Sequence, residues 1–263
     1  MGSATTQARS ATLAALAAAG DADLATGEQI LEIGRVIGDS AQLQGVLTDP
    51  SIAAGEKSAL VDRLFGATTA TARAVVSAAV SSGWSDSDDL LAGLEEAGIR
   101  ALAASAPDTA SVDAELFAFE AAVASDQELE LAISAKLGSS DGKASLVSAL
   151  VSGKASPQTI AILEQLVRQP RGRRIGTLIA DATRIVAEQS GTTLAIVTTA
   201  TALSAAQLDR LAAALTASAG RTVRINPVVD PAVVGGVRVR IGDDVIDGTV
   251  ASKLSDLKLQ LAR

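Results

Sequence analysis

The chain has 263 residues, 48% of them hydrophobic and only 2% aromatic, with a formal net charge of −8. This length suffices for two or three small domains whose cores consist mainly of Ala, Leu, Val and Ile. The sequence contains no cysteine and no histidine, which excludes disulfides, thiolate nucleophiles, imidazole bases and His/Cys metal sites.

Residues 1–190 carry apolar residues at helical spacing and show no hairpin signal. Gly66, Gly83 and Gly153 mark helix ends, and Pro157 stands at a first helical position after Ser156. We predict helices over 8–19, 24–48 with a break near Gly38, 53–65, 68–82, 86–105, 111–136 with a break near Asp126, 140–152, 156–169 and 173–190.

The helical part contains a repeat with a spacing of 86 residues. Each copy places an N-cap candidate, Ser40 or Asp126, three residues before a leucine. The matching pairs include Ile33 with Phe119, Ile37 with Val123, Leu43 with Leu129, Leu47 with Ile133, Lys57 with Lys143, Leu60 with Leu146 and Leu64 with Leu150. We interpret this as a duplicated helical bundle, with copies over about 28–104 and 114–190; chance alignment of amphipathic helices is the alternative.

After Gly191 the pattern changes to that of a small α/β domain, residues 191–263. Residues 193–199 and the segment around Arg224 are typical of strands, and 237–241 with 245–246 predict a hairpin. Between the strands, Ser204 and Gln207 form a capping box for a helix that buries Leu208, Leu211 and Leu215 and ends at Gly220; a second helix is predicted over 248–262. The expected fold class is therefore α+β, with a mixed or antiparallel sheet.

Three segments have a weak functional pattern. Gly138–Ala144 has glycines and a lysine but not the spacing of a phosphate loop, so a helix start is favoured. Asp86, Asp88 and Asp89 lack the spacing of a calcium loop and are better explained as helix-start residues. The basic run Arg171–Arg174 either holds an acidic partner or is a solvated helix start, which we favour.

The run from Asp230 to Thr249 closely resembles the C-terminal signature of the ATP synthase delta subunit family, which includes the mitochondrial oligomycin-sensitivity-conferring subunit. Residues 200–207 resemble the family's preceding segment, with Ala202 where proline is common, and Thr249 stands where serine is usual. The residues that match, and that build a domain rather than a catalytic site, are Asp230, Pro231, Gly235, Gly236, Gly242, Asp243, Val245, Ile246, Asp247 and Gly248. From the residues alone, Gly235–Gly236 predicts a bulge or a close backbone approach.

The resemblance implies a non-catalytic subunit of the peripheral stalk of a proton-translocating ATP synthase, enlarged by about one helical copy. It implies that the helical part holds N-terminal helices of the alpha subunits and that the C-terminal domain holds the b-subunit stalk. By holding both, the protein is expected to resist the torque of the rotor. No cofactor, metal or catalytic residue is expected. The protein is expected at the cytoplasmic face of a bacterial cell membrane, attached only through the complex, since no residue run is apolar enough to cross a bilayer.

Charge divides the chain in the same way. Residues 1–190 hold 14 basic and 24 acidic side chains, net −10, and residues 191–263 hold 8 and 6, net +2. The acidic majority argues against nucleic acid as a partner. We expect Arg224, Arg238 and Arg240 to line one outer face of the sheet, where they contact either solvent or a protein partner. The alternatives are a stand-alone helical adaptor or an enzyme with an acidic site in the α/β domain.

Overall fold

Helices form the first part of the chain and a four-stranded sheet follows them, as expected for an α+β fold. The structure is a computed structural model that describes residues 2–20, 22–107, 110–135, 138–241 and 244–250. It divides into two compact units, Met1–Val186 and Ala187–Arg263. The helices of the first part are α1 Ser3–Ala18, α2 Leu24–Gly38, α3 Ala41–Thr48, α4 Ala54–Leu64, α5 Ala70–Ser81, α6 Ser87–Ala104, α7 Val112–Ser125, α8 Gln127–Ser134, α9 Ser140–Val151, α10 Pro157–Arg168 and α11 Ile175–Gln189.

Short polar side chains begin most of these helices by satisfying backbone N–H groups of the first turn. The Ser40 hydroxyl accepts a hydrogen bond from the Leu43 N–H, and the Asp126 carboxylate accepts from the Glu128 and Leu129 N–H groups. Both predicted caps and both predicted breaks are thus confirmed. The first helix is an exception, because it begins at Ser3 rather than at residue 8, and its N-cap, Gly2, offers no side chain to signal the start.

Helix positions recur along the helical unit. The helices α2 to α6 begin 86 to 88 residues before α7 to α11, taken in order, and the lengths of the paired helices are similar. Adding 86 to the bounds of α1 gives residues 89–104, which is almost the whole of α6. By position, α6 therefore corresponds both to α11, which begins 88 residues later, and to α1, which begins 84 residues earlier.

The cores of the helical unit meet on α6. Leu90 and Leu94 belong to a cluster with residues of α1 to α5, whereas Ile99 and Leu102 belong to a cluster with α7 to α11. Helix α6 also crosses α2 closely, because a Cβ atom on Gly98 would be 2.5 Å from the Leu31 side chain. Two glycines at this crossing, Gly27 and Gly98, let the helices approach and bury most of the surface of α6.

The second unit is a mixed sheet with one described helix against it. Its elements are β1 Thr193–Thr199, α12 Ala205–Ala219, β2 Val223–Val229, β3 Val237–Ile241 and β4 Asp244–Asp247, and the strand order is β2-β1-β3-β4. The β1–β2 pair is parallel and the other two pairs are antiparallel. Helix α12 is the crossover that a parallel pair requires, and Gly220 ends it in a left-handed conformation with φ +66°.

The predicted burial of α12 is only partly correct. Leu215 is buried against β1, β2 and β3, whereas Leu208 and Leu211 are only half-buried. The predicted closing helix 248–262 lies almost wholly outside the described residues. No helix in the described ranges is long and apolar enough to cross a membrane.

Candidate functional site

The three arginines predicted to contact a partner lie on one face of the sheet. Arg224 pairs with Leu194 in the parallel register, and Arg238 and Arg240 pair with Thr198 and Ile196 in the antiparallel register. Directly paired residues share a face of a sheet, and neighbours along a strand alternate between faces. This arginine face (Arg224, Arg238, Arg240 and their partners Leu194, Ile196 and Thr198) is thus opposite to the face that packs on α12.

The guanidinium groups of the arginine face are accessible. All three arginines are exposed, and the paired Leu194 and Ile196 are half-buried beneath them. Arg238 donates a hydrogen bond to Asp247 of β4 at 3.2 Å, with half of the arginine side chain exposed. Hydrogen bonds from Thr249, followed by the bond and charge of Arg238, hold the pKa of the Asp247 carboxyl below its ordinary value. Asp247 therefore stays ionised and fixes Arg238.

The signature glycines form a backbone contact. Gly235 and Gly236 have φ angles of +140° and +87°, in the region that favours glycine. A Cβ on Gly236 would be 2.5 Å from the Gly248 oxygen and 2.8 Å from the Thr249 Cα. The Gly248 N–H donates to the Val237 oxygen at 2.9 Å and the Val250 N–H to the Gly235 oxygen at 3.0 Å. The predicted close backbone approach is confirmed at Gly236, whereas a Cβ on Gly235 would be 3.5 Å from the Val250 side chain, an ordinary contact distance.

Asp230 and Pro231 make the turn that leads into this contact. The Asp230 N–H donates to the Thr199 oxygen at the end of β1, and its carboxylate accepts from the Ala232 N–H at 2.9 Å. Val245 and Ile246 lie on the edge strand β4, more than half exposed, although the signature pattern predicts structural residues. Gly242 and Asp243 lie outside the described residues. Of the signature residues that the structure describes, Asp230, Gly235, Gly236, Asp247 and Gly248 thus lie at one end of the β3–β4 hairpin, whereas Val245 and Ile246 lie farther along β4.

The basic run of the helical unit has a partner inside the protein. The Glu95 carboxylate on α6 accepts from Arg171 at 2.9 Å and from Arg173 at 2.7 Å, and the glutamate is only 9% exposed. The interpretation of Arg171 and Arg173 as a solvated helix start is therefore wrong. Sequence alone could not show this pairing, because 76 and 78 residues separate the partners. Arg174 remains exposed and forms no ion pair with the described residues.

The other two segments begin helices, as predicted. Ser139 caps α9 by accepting from the Gly142 N–H, and Asp86 caps α6 by accepting from the Asp89 N–H. Within the described residues, no group of three carboxylates is arranged to hold a metal ion. Three glutamates, Glu28, Glu32 and Glu164, lie near one another where α2 contacts α10. Burial, followed by the charges of Glu164 and Glu32, raises the pKa of Glu28.

Both helical copies expose leucines at equivalent positions. Leu64 of α4 and Leu150 of α9, which are 86 residues apart, are 49% and 40% exposed. In the second copy, Leu146 and Leu131 add to this surface at 39% and 63% exposed. Acidic residues of the same helices, including Asp62 and Glu130, are exposed as well. Each copy thus presents exposed leucines on helices that carry both acidic and basic side chains.

Comparison with known proteins shows one family. The family model described as ATP synthase delta (OSCP) subunit matches residues 99–261, which run from α6 through the second helical copy and the sheet unit. A protein of Leifsonia xyli called ATP synthase subunit delta is 52% identical over the whole of both chains. Its namesake from Streptomyces griseus is 37% identical over 89% of this chain and 88% of its own. The one from Nocardia farcinica is 34% identical over 98% of this chain and 97% of its own.

Among solved structures, a chain of the Toxoplasma gondii mitochondrial ATP synthase hexamer has a TM-score of 0.41 and 21% identity, over 65% of this chain and 98% of that chain.

Proposed function

The chain belongs to the ATP synthase delta (OSCP) subunit family, and we propose that each of its two units holds a different partner within that complex. As a member of the family it is a non-catalytic subunit of ATP synthase that serves in the peripheral stalk. The observation that carries the proposal is that one family model spans both units, from residue 99 to residue 261.

The arginine face of the sheet unit is the proposed contact for the b-subunit stalk. Three exposed guanidinium groups there surround half-buried Leu194 and Ile196, so the face offers both positive charge and apolar area. Arginine is well suited to such a contact, because its planar group binds carboxylates in a fixed geometry and packs on apolar surface. The partner that this face fits is a stalk segment with acidic residues beside an apolar stripe.

The helical unit is the proposed contact for the N-terminal helices of the alpha subunits. Its side chains sum to −10 over residues 1–190, and exposed leucines recur in both copies. An amphipathic helix with a basic polar face fits such a surface, because apolar side chains provide affinity and charge provides orientation. The duplication, with copies over about 28–104 and 114–190, supplies two related surfaces of this kind.

Binding both partners gives the protein its mechanical role, which is to connect the catalytic head to the stalk and to resist the torque of the rotor. In this arrangement the protein lies at the cytoplasmic face of the cell membrane and is attached through the complex.

The stalk contact is tested by charge reversal in the full-length protein. We expect Arg238→Glu with Arg240→Glu to weaken binding of a purified fragment from the C-terminal end of the b stalk by about 100-fold, since each exposed pair contributes up to about 1 kcal/mol and reversal adds repulsion. Arg210→Glu is the matched control, because Arg210 is exposed on α12, against the opposite face of the sheet. Equal binding by the double variant and the control would contradict the proposed contact.

A further inference from the structure

The second helical copy contains a cavity that the proposed function does not use. Its volume is about 500 Å³, within the range of about 300–1,000 Å³ that is usual for binding pockets. It opens where the ends of α8 and α10 meet the starts of α9 and α11. The apolar part of its wall consists of Ile133, Leu166, Val167, Ile175 and Leu178.

The charged side chains that line this cavity in the described part of the chain are all basic. Lys143, Arg173 and Arg174 line it, and no acidic residue does, although the chain as a whole is acidic. Arg173 is held by Glu95, whereas Lys143 and Arg174 form no ion pair within the described residues. Asp141, on the same helix as Lys143, is paired with Arg168 instead. Two cations at the mouth of an apolar cavity therefore remain available to an anionic group.

The first helical copy has an aromatic residue followed by acidic residues in the corresponding part of its chain. Pro170 and Gly172 line the cavity from the linker between α10 and α11, and the corresponding linker between α5 and α6 contains Trp84. The Trp84 side chain is buried in the core of that copy, and its indole N–H donates to the Ala79 oxygen. The residues that follow Trp84 are acidic (Asp86, Asp88 and Asp89), whereas those that follow Pro170 are basic. The second copy has thus lost the aromatic side chain and reversed the charge beside it.

We propose that the cavity binds a peptide segment of a partner protein in which a large apolar side chain precedes two or more carboxylates. The apolar side chain occupies the space above Leu166 and Leu178, and the carboxylates pair with Lys143 and Arg174. This contact is distinct from the arginine face of the sheet unit and from the exposed leucines of α4 and α9. It is the only one of the three in which basic side chains surround a concave apolar site.

An anionic lipid shares part of this chemistry, but the structure favours a peptide. The first copy supplies the complementary features as a contiguous peptide, an indole followed within five residues by three carboxylates.

The test uses the full-length protein and labelled synthetic peptides. The probe has the sequence of residues 83–90, Gly-Trp-Ser-Asp-Ser-Asp-Asp-Leu. One comparison peptide replaces its three aspartates by lysine, and another replaces its tryptophan by glycine. By fluorescence anisotropy we expect saturable binding of the probe below about 1 mM and at least tenfold weaker binding of both comparison peptides.

Variants of the protein locate the site. Arg174→Glu with Lys143→Glu should weaken probe binding by about tenfold or more, since two attractions become repulsions. Lys154→Glu is the matched control, because Lys154 is exposed and does not line the cavity. Pro170→Trp places a large side chain at the lining of the cavity and should block binding while circular dichroism stays unchanged.

Three outcomes would overturn the proposal. One is equal binding of the acidic and the lysine-substituted peptides. Another is that Lys154→Glu weakens binding of the probe peptide as much as the cavity variants do. The third is that the protein sediments with vesicles containing phosphatidylglycerol, that this sedimentation depends on Arg174, and that the acidic peptide does not bind. That result would assign the cavity to a lipid headgroup.

Discussion

Gly236 and Gly248 are in backbone contact, so that a Cβ atom on Gly236 would be 2.5 Å from the carbonyl oxygen of Gly248. The turn that enters β3 therefore lies directly on the segment that leaves β4. The Gly248 N–H also donates to the Val237 oxygen at 2.9 Å, which adds a hydrogen bond beside the contact. The glycine pair and the Asp-Gly pair of the signature are separate in sequence but form one packed corner.

We expect Gly236→Val to destabilise the sheet unit by about 3 kcal/mol, because the side chain meets backbone atoms and the φ of +87° is strained for any other residue. The helical unit should stay folded. Hydrogen exchange followed by mass spectrometry measures the two units separately. Gly191→Val is the control, because φ there is +68° but an added Cβ would meet no atom within 4 Å. We expect this variant to lose only about 1 kcal/mol of unfolding free energy. Unchanged exchange in residues 193–250 would contradict the prediction.

A second prediction concerns Glu96, which accepts hydrogen bonds from Arg9 at 2.6 Å and from Arg100 at 2.8 Å. Burial raises the pKa of Glu96, but the bonds and charges of the two arginines outweigh it, so the pKa in the folded protein lies below the ordinary 4.5. A lowered pKa means that the ionised group stabilises the fold above pH 4.5. This contribution disappears as the pH falls through the folded-state pKa.

We therefore expect Glu96→Gln to lower the free energy of unfolding by about 3 kcal/mol at pH 7, because it removes the charge of a largely buried carboxylate that bonds to both arginines. The difference in the free energy of unfolding between the variant and the wild type should become smaller as the pH falls below 4.5. Urea unfolding at a series of pH values measures both effects. Glu130→Gln, at an exposed position without an ion pair in the described part of the chain, should change stability by less than about 0.5 kcal/mol. A difference in unfolding free energy that does not depend on pH would contradict the proposed role of the Glu96 charge.

The third prediction is that the purified protein neither binds nor hydrolyses ATP. The segment that most resembles a phosphate loop begins α9, with its Ser139 hydroxyl already bonded to the Gly142 N–H. Isothermal titration calorimetry with MgATP is the measurement. Stoichiometric binding at micromolar concentration would show that a nucleotide site has been missed.

The fourth prediction separates the two units at Gly191, just after α11. We expect the fragment 1–190 to bind a peptide of the alpha-subunit N-terminus and the fragment 191–263 to bind the b-subunit stalk. High salt should weaken the first contact only in part, because it screens charge but leaves apolar burial intact. Pull-downs with each fragment at two salt concentrations test this. Capture of the stalk by 1–190, or of the alpha peptide by 191–263, would refute the division.

Local signals in the sequence predicted the elements well. Ser40, Asp126 and Gly220 each act on the backbone of their own turn, so a reader of the sequence can find them without knowing the fold. The alternation of apolar residues placed β1 at 193–199 correctly. The start of α1 was missed because Gly2 carries no side chain that could cap the helix.

Long-range relationships could not be predicted. The central position of β1, between β2 and β3, depends on a crossover and not on any local pattern. The bonds of Glu95 with Arg171 and Arg173 join residues that no short-range rule connects. The partial exposure of Leu208 reflects where α12 contacts the sheet, which helical periodicity does not determine. On the candidate site, the prediction that Arg224, Arg238 and Arg240 line one outer face of the sheet agrees with the strand register, although local alternation connects only Arg238 and Arg240.

Helix α6 determines how the helical unit responds to load. Because its side chains belong to the cores of both copies, the copies cannot rotate about a flexible linker as two domains on a string would. Twisting one copy against the other would have to shear packed side chains, which are close-packed and resist deformation. The helical unit should therefore have little torsional compliance. In a stator, such a stiff part keeps the head from twisting far while it resists the torque.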